Sequence, residues 1–173
     1  MTTNAFPTDL TPAQLLYPDM EAEFASTRRM LERVPEGSDD FKPHAKSMSL
    51  KALATHIAEL PTFGKLIVNT AEFDFGTGKW ETPTIGSNAE RLAFFEKNAA
   101  EMKSAVEGAD WAALAVEWTL RAGEQIYVKD KKSSLLRTMT FSHIAHHRAQ
   151  LGVYLRELDL AIPGMYGPSA DEM

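Results

Sequence analysis

Residues 141–148 of the 173-residue chain read FSHIAHHR, a stretch that contains three of the five histidines. His143 and His147 are four positions apart, so on a helix they lie on one face with Cβ atoms roughly 6 Å apart. Two imidazoles placed in this way can bind one ion at the zinc–nitrogen distance of about 2.0–2.1 Å. The stretch therefore predicts a helix that carries two candidate metal ligands.

The two histidines belong to an apolar stripe of the same predicted helix. Steps of four and three residues connect them to Leu136, Thr140, Leu151, Tyr154 and Leu158. Both rings should therefore point into the protein. A single inward histidine is usually a hydrogen-bonded core residue, whereas two stacked ones need partners for both nitrogens of each ring. From this pair alone, a metal site and a pair of hydrogen-bonded core histidines both remain open.

His56 is the third candidate ligand. It lies on the apolar stripe of an earlier predicted helix, together with Ser49, Leu53, Leu60, Phe63 and Ile67. If the two helices are neighbours, the three rings can meet, and three neutral histidines with an open position are typical of a catalytic metal site. The chain has no cysteine, so any metal must be held by nitrogen or oxygen.

The other two histidines are expected to be non-ligands. His146 lies about 100° away from His147 around the helix, although it could instead pair with His143 at the i+3 spacing. His44 lies in a predicted loop beside Pro43. A zinc protease is disfavoured, because its motif needs Glu directly after the first histidine and Ile144 stands there.

Capping and helix-breaking residues predict four substantial helices, over residues 19–34, 49–70, 87–108 and 133–158. The first ten residues are expected to form a loose arm, followed by a short helical start that breaks at Pro18. Residues 71–86 predict a long connection, and residues 116–128 could form a small hairpin. The predicted class is all-α, in a single domain over residues 1–173.

Composition and charge exclude several kinds of partner. The net charge is −6, and the densest basic cluster is only Lys129, Lys131 and Lys132. Nucleic acid and anionic membrane surfaces are therefore disfavoured, because both are bound by concentrated positive charge. The N-terminal residues do not resemble a signal peptide, and no apolar run approaches the length of a membrane span. The expected localisation is cytoplasmic.

Several other side chains could contribute to a site, but a structural interpretation is favoured for most of them. Glu59 could assist the metal ligands, yet an exposed helix charge is the expected role. Gln150 could equally line the site or belong to the polar face beside it, and Tyr154 is expected in the core. Arg148 is expected to anchor Asp171 or Glu172. The aromatic cover of the helix ends is expected to include Trp80, Trp111 and Trp118.

The pattern His143-xxx-His147-Arg148-xx-Leu151, after a single histidine on an earlier helix, resembles the DinB/YfiT-like family. The resemblance is carried by residues 43–60 and 141–172, above all by the run from His146 to Arg156. It implies a four-helix bundle with a long crossover and a homodimer. It also implies a zinc or nickel site near one end of the bundle, with His56, His143 and His147 as ligands.

The resemblance also implies a class of reaction. Characterised relatives transfer low-molecular-weight thiols or isomerise thiol adducts with zinc. A three-histidine site with an open position would lower the pKa of water or of a substrate thiol. The first hypothesis is therefore a metal-dependent transferase or hydrolase with a small-molecule substrate, although iron or cobalt could replace zinc or nickel. The alternatives are a non-catalytic metal- or ligand-binding module linked to stress, and a helical interaction protein with hydrogen-bonded histidines.

Overall fold

The computed structural model describes residues 9–77, 80 and 83–173. The predicted N-terminal arm therefore lies almost wholly outside the described residues. The first five helices are α1 (Pro12–Leu16), α2 (Met20–Leu31), α3 (Leu50–Asn69), α4 (Asn88–Gly108) and α5 (Trp111–Ala115). A continuous helical stretch follows near the C-terminus: α6 (Lys132–Leu136), a π-helical segment (Arg137–Phe141) and α7 (Ser142–Glu157).

Helices α1, α3 and α4 begin where the sequence predicts them because capping side chains fix their N-terminal ends. Thr11 and Gln14 form the reciprocal capping box of α1. The hydroxyls of Ser49 and Ser87 accept the backbone N–H groups of Ala52 and Glu90, and so cap α3 and α4. Each such cap satisfies a backbone donor that the helix leaves unpaired, which contributes about 1 kcal/mol. The predicted break near Pro18 is confirmed, since α1 and α2 are separate helices.

Four long helical segments build the core of the described residues. Helix α3 packs against α4 and α7, and α2 packs against the same two helices. The buried side chains at these contacts are mainly aliphatic or aromatic and include Phe24, Leu31, Leu53, Ile57, Leu60, Phe95, Met102, Ile144, Leu151 and Leu155. This packing places the middle of α3 directly beside the first turns of α7.

The prediction of an all-α protein is wrong in one respect, because three strands form a small sheet in the order β1-β2-β3. The predicted hairpin is present as β2 (Glu117–Ala122) and β3 (Gln125–Lys131), and Gly123 occupies its two-residue turn with φ of +56°. The third strand, β1 (Glu72–Asp74), pairs in parallel with β2. It lies in the connection that was predicted without regular structure.

A side chain explains how so short a strand is held. The Asp74 carboxylate accepts the backbone N–H groups of Gly76 and Gly123 at 2.7 and 2.9 Å, which ties β1 to the hairpin turn. On the inner face of β2, Trp118 is fully buried and donates its indole N–H to Thr70 at the end of α3. Such contacts join distant parts of the chain, so local sequence patterns do not reveal them.

Candidate metal centre

His56 on α3 and the pair His143 and His147 on α7 come together in the structure. The ring centroids are 5.2 Å apart for His56 and His143, and 4.7 Å apart for each of the other two pairs. Each residue offers one ligand nitrogen, and these three nitrogens all lie within 4.8 Å of one another. The three histidines therefore form a group that could hold a metal ion.

The second nitrogen of the α7 histidines is engaged elsewhere. Nδ1 of His147 lies 2.7 Å from Oε1 of Gln150, and an amide oxygen only accepts, so this nitrogen carries the proton. The His143 ring forms a hydrogen bond with the backbone of Met139. Because its Nε2 faces His147, we infer that Nδ1 makes this bond. Both histidines then direct an unprotonated Nε2 towards the shared centre.

His56 has a carboxylate behind it. Its Nδ1 lies 3.4 Å from Oε1 of Glu59, one turn further along α3. Glu59 is only 6% exposed, so the expectation of an exposed helix charge is wrong. A usable signal was present, because Ile57, Ala58 and Leu60 show that this turn of α3 is apolar on nearly every side.

Burial and mutual repulsion keep the α7 histidines neutral. Burial is the main cause that lowers the pKa of His147 to about 4; the hydrogen bond of Gln150 opposes this shift, and the neighbouring imidazoles add to it. Burial, followed by the charge of His56, also lowers the pKa of His143. Neutral imidazoles are the form that binds metals, since a protonated ring has no free lone pair.

The separation of two ring nitrogens tests whether the donor set fits a metal ion. Nε2 of His143 and Nε2 of His147 are 2.9 Å apart. Two lone pairs that face each other at this distance repel unless a proton or a cation lies between them. Two nitrogens that each lie about 2.0–2.1 Å from one zinc ion are separated by about 3.3 Å at the tetrahedral angle, so a small outward shift of the two rings would admit the ion. The three histidines therefore fit a divalent metal ion of the type that prefers imidazole.

A cleft along one side of α3 is lined by His56, one of the three clustered histidines. It has a volume of about 480 Å³ and is also lined by Glu59. Its walls are mostly apolar and include Met48, Ala52, Pro83 and Ile85. This volume lies within the usual range for small-molecule sites. The sequence patterns did not indicate these lining residues, because they come from the start of α3 and from a distant loop.

The remaining sequence candidates lie outside the cluster. His44 is exposed and accepts the backbone N–H of Lys46 in its loop, and His146 is exposed on α7. Tyr154 is buried and donates its hydroxyl to the backbone of Met48, as expected for a core residue. Trp80 stacks on Phe63 with ring centroids 4.4 Å apart.

Arg148 has a structural role, but the predicted partners are wrong. The residue is buried, and its side chain donates to the Glu23 carboxylate at 2.8 Å and to the hydroxyl of Tyr166 at 2.6 Å. Asp171 is instead bonded to Arg156, and Glu172 accepts the backbone N–H of Gly164. Arg148 thus fixes α7 to α2.

Comparisons with known proteins agree on one family. The model of the DinB family matches residues 1–173. A DinB-like protein from Bacillus subtilis has a similar solved structure, with a TM-score of 0.66, 16% identity, and coverage of 87% of this chain and 96% of that one. A DinB-like protein from Bacillus cereus gives a TM-score of 0.64 and 21% identity, over 87% and 95% of the two chains. A search of curated proteins found no match.

At these identities the two solved structures bear on the fold alone. Together with the helices described above, they show a helical DinB-like fold that includes a small sheet. Within the described residues, no helix combines the length and apolar character needed to cross a bilayer.

Proposed function

The chain belongs to the DinB family, and on that premise we propose that it is a metal-dependent enzyme acting on a small molecule at His56, His143 and His147. The observation that carries the proposal is the convergence of the three rings, one of which, His56, lines a cleft. The same three positions follow from the sequence resemblance. Zinc or nickel is the expected metal, and iron or cobalt would also accept three imidazoles.

The ring orientations support a site that is prepared for a cation. Gln150 holds the proton of His147 on Nδ1, and Glu59 lies beside Nδ1 of His56. Polar groups behind the ligands fix the orientation and tautomer of the rings in this way at many metal sites. A bound divalent metal would supply Lewis-acid chemistry, which lowers the pKa of water or of a thiol.

The cleft supports a small substrate without a strong negative charge. Lys51 is the one lysine or arginine among the described residues that line the cleft, and its ammonium group is bonded to Asp39 at 3.0 Å. Glu59 adds a carboxylate at the metal end. The cleft therefore favours a neutral, partly apolar molecule. Thiol transfer to such a molecule, or its hydrolysis, is the reaction class that fits both the cleft and the family resemblance.

Metal content is the first test of the proposal. Untagged wild-type protein, purified without chelators and then reconstituted, should hold about one equivalent of zinc or nickel by elemental analysis. A variant with both His143→Ala and His147→Ala should hold none. The matched controls are His44→Ala and His146→Ala, which remove histidines outside the cluster and should retain the metal. Equal metal content in all four proteins would contradict the proposal.

Turnover is the second test. Metal-loaded wild-type protein should convert at least one pair from a panel of low-molecular-weight thiols and neutral electrophiles, and the double-histidine variant should not. A metal-loaded protein that binds these molecules unchanged would instead be a binding module. One observation favours the binding module. Glu59 is the sole carboxylate among the described residues of the cleft, and its Oε2 atom, which has no hydrogen-bond partner there, is buried and does not face solvent.

The larger assembly remains a proposal too. Packing of both α2 and α3 against α4 and α7 supports the four-helix bundle that the resemblance implies. The same resemblance leads us to propose a homodimer and a single domain over residues 1–173. Sedimentation at micromolar concentration should give twice the chain mass of 19.2 kDa. A monomer there would contradict the dimer without affecting the metal site.

A further inference from the structure

We propose that Glu59 is a positioning residue for the metal centre, where its carboxylate orients His56 and balances the charge of the bound cation. The inference rests on the proposed metal site, but not on any reaction at that site. It starts from the position of Glu59, three residues after His56 on α3, with Oε1 3.4 Å from Nδ1 of the ring. That position directs the other nitrogen of His56 towards the α7 histidines.

The burial of Glu59 requires a physical reason. The residue is 6% exposed, and its Oε2 atom has no hydrogen-bond partner among the described residues. An isolated carboxylate in such a place is costly unless positive charge lies nearby. Among the described residues, two nearby lysines are engaged elsewhere, Lys51 with Asp39 and Lys65 with Glu101. Lys97 also acts on Glu101, whose pKa it helps to lower.

A metal ion on His56 would provide the missing positive charge. A metal bound to one imidazole nitrogen withdraws electron density from the ring, so that the opposite N–H becomes a stronger donor. The present 3.4 Å contact is longer than the charge-assisted hydrogen bonds of about 2.7–2.9 Å seen between charged groups. The contact between Glu59 and His56 can therefore shorten when the ion binds. The strength of this hydrogen bond then depends on metal binding.

The three histidines differ in the group behind them. His147 has the neutral and exposed side chain of Gln150, and His143 has the backbone of Met139. Only His56 has a carboxylate among these partners. Removal of the Glu59 carboxylate should therefore weaken metal binding more than removal of the Gln150 amide. A merely structural Glu59 would show no such preference, because its loss would affect the folded protein with and without metal.

Zinc affinity and metal-free stability separate the two roles. In a competition titration with a zinc-binding dye, Glu59→Gln should bind Zn²⁺ about 10-fold more weakly than the wild type, and Glu59→Ala up to about 100-fold more weakly. The melting temperature of metal-free Glu59→Gln should equal or exceed that of the wild type, since an unpaired buried charge is gone. The matched control is Glu107→Gln on α4, an exposed carboxylate that should leave both quantities unchanged.

Unchanged zinc affinity in Glu59→Gln would overturn the inference while the metal site stands. An equal loss of stability with and without zinc would also overturn it, in favour of a structural role. Failure of the wild type to bind zinc would instead contradict the proposed function. If the variants do not fold, nitrogen NMR of the zinc-loaded wild type still decides. His56 should carry its proton on Nδ1, and zinc on Nδ1 would refute the orientation.

Discussion

Replacement of Glu23 by Gln should destabilise the protein strongly, because it leaves the guanidinium of Arg148 without a counter-charge. The Arg148 side chain is 2% exposed and that of Glu23 is 13% exposed, and they are 2.8 Å apart. Loss of one partner of a buried ion pair costs about 3–5 kcal/mol. Glu23 is partly solvated, so about 3 kcal/mol is expected. For a domain of this size, that lowers the melting temperature by roughly 6–12 °C.

A double variant isolates the charge from the packing. Glu23→Leu with Arg148→Met removes both charges and retains apolar volume, so it should be more stable than Glu23→Leu alone. The exposed pair Arg28 and Glu32 provides the matched control, since Glu32→Gln should cost less than about 1 kcal/mol. Urea unfolding and thermal melts of metal-free protein, followed by circular dichroism, measure all of these.

Two results would refute this reasoning about the buried pair. One is a melting temperature for Glu23→Gln within about 2 °C of the wild type, which would be less than the loss of one net hydrogen bond predicts. The other is a double variant less stable than Glu23→Leu alone, which would show that Arg148 stabilises α7 without needing its counter-charge.

Three further changes test separate parts of the structure. Gly64→Ala should cost about 1–3 kcal/mol in urea unfolding, because the new Cβ would overlap the side chain of buried Met102; Gly108→Ala, with open space around it, is the control. Arg156 holds the pKa of Asp171 at about 2, below its usual 3.8, so this pair stabilises the fold above pH 4 and the contribution is lost as the pH falls towards 2. Asp171→Asn should therefore flatten stability between pH 4 and pH 2, and an unchanged slope would count against the pair. Gln150→Leu should weaken zinc binding only a few-fold in the dye titration, because its contact with Nδ1 of His147 is neutral and exposed; a loss as large as that of Glu59→Ala would contradict the order of importance inferred above.

Local patterns predicted what is locally determined. The caps at Ser49 and Ser87 and the apolar periodicity placed the long helices within a few residues of their observed bounds. The same periodicity put His56 and the α7 pair on the apolar stripes of two helices, and the packing of α3 against α7 supplies the neighbourhood that the pattern left as a condition. These properties depend on neighbours three or four residues away along the chain, so the sequence alone is sufficient to reveal them.

Properties that depend on distant contacts were missed. Strand β1 exists because Asp74 binds the backbone of Gly123, 49 residues further along. The partner of Arg148 is Glu23, 125 residues away, and not the nearby C-terminal carboxylates. Burial of Glu59 differs from these two cases, because the apolar residues beside it in the sequence gave a local signal. Periodic patterns do not encode contacts between residues so far apart, because a charged residue occupies the same kind of position in the sequence whether its partner is distant or absent.

The π-helical segment Arg137–Phe141 explains why the histidines lie at the edge of the core and not inside it. A π turn adds one residue to a helix, and one residue corresponds to a rotation of about 100°. The stripe that continues from Leu136 should have buried both His143 and His147. The buried positions instead fall one residue later, at Ile144 and Arg148. The same insertion thus seats Arg148 against α2 and leaves the two rings half-buried beside His56 on α3.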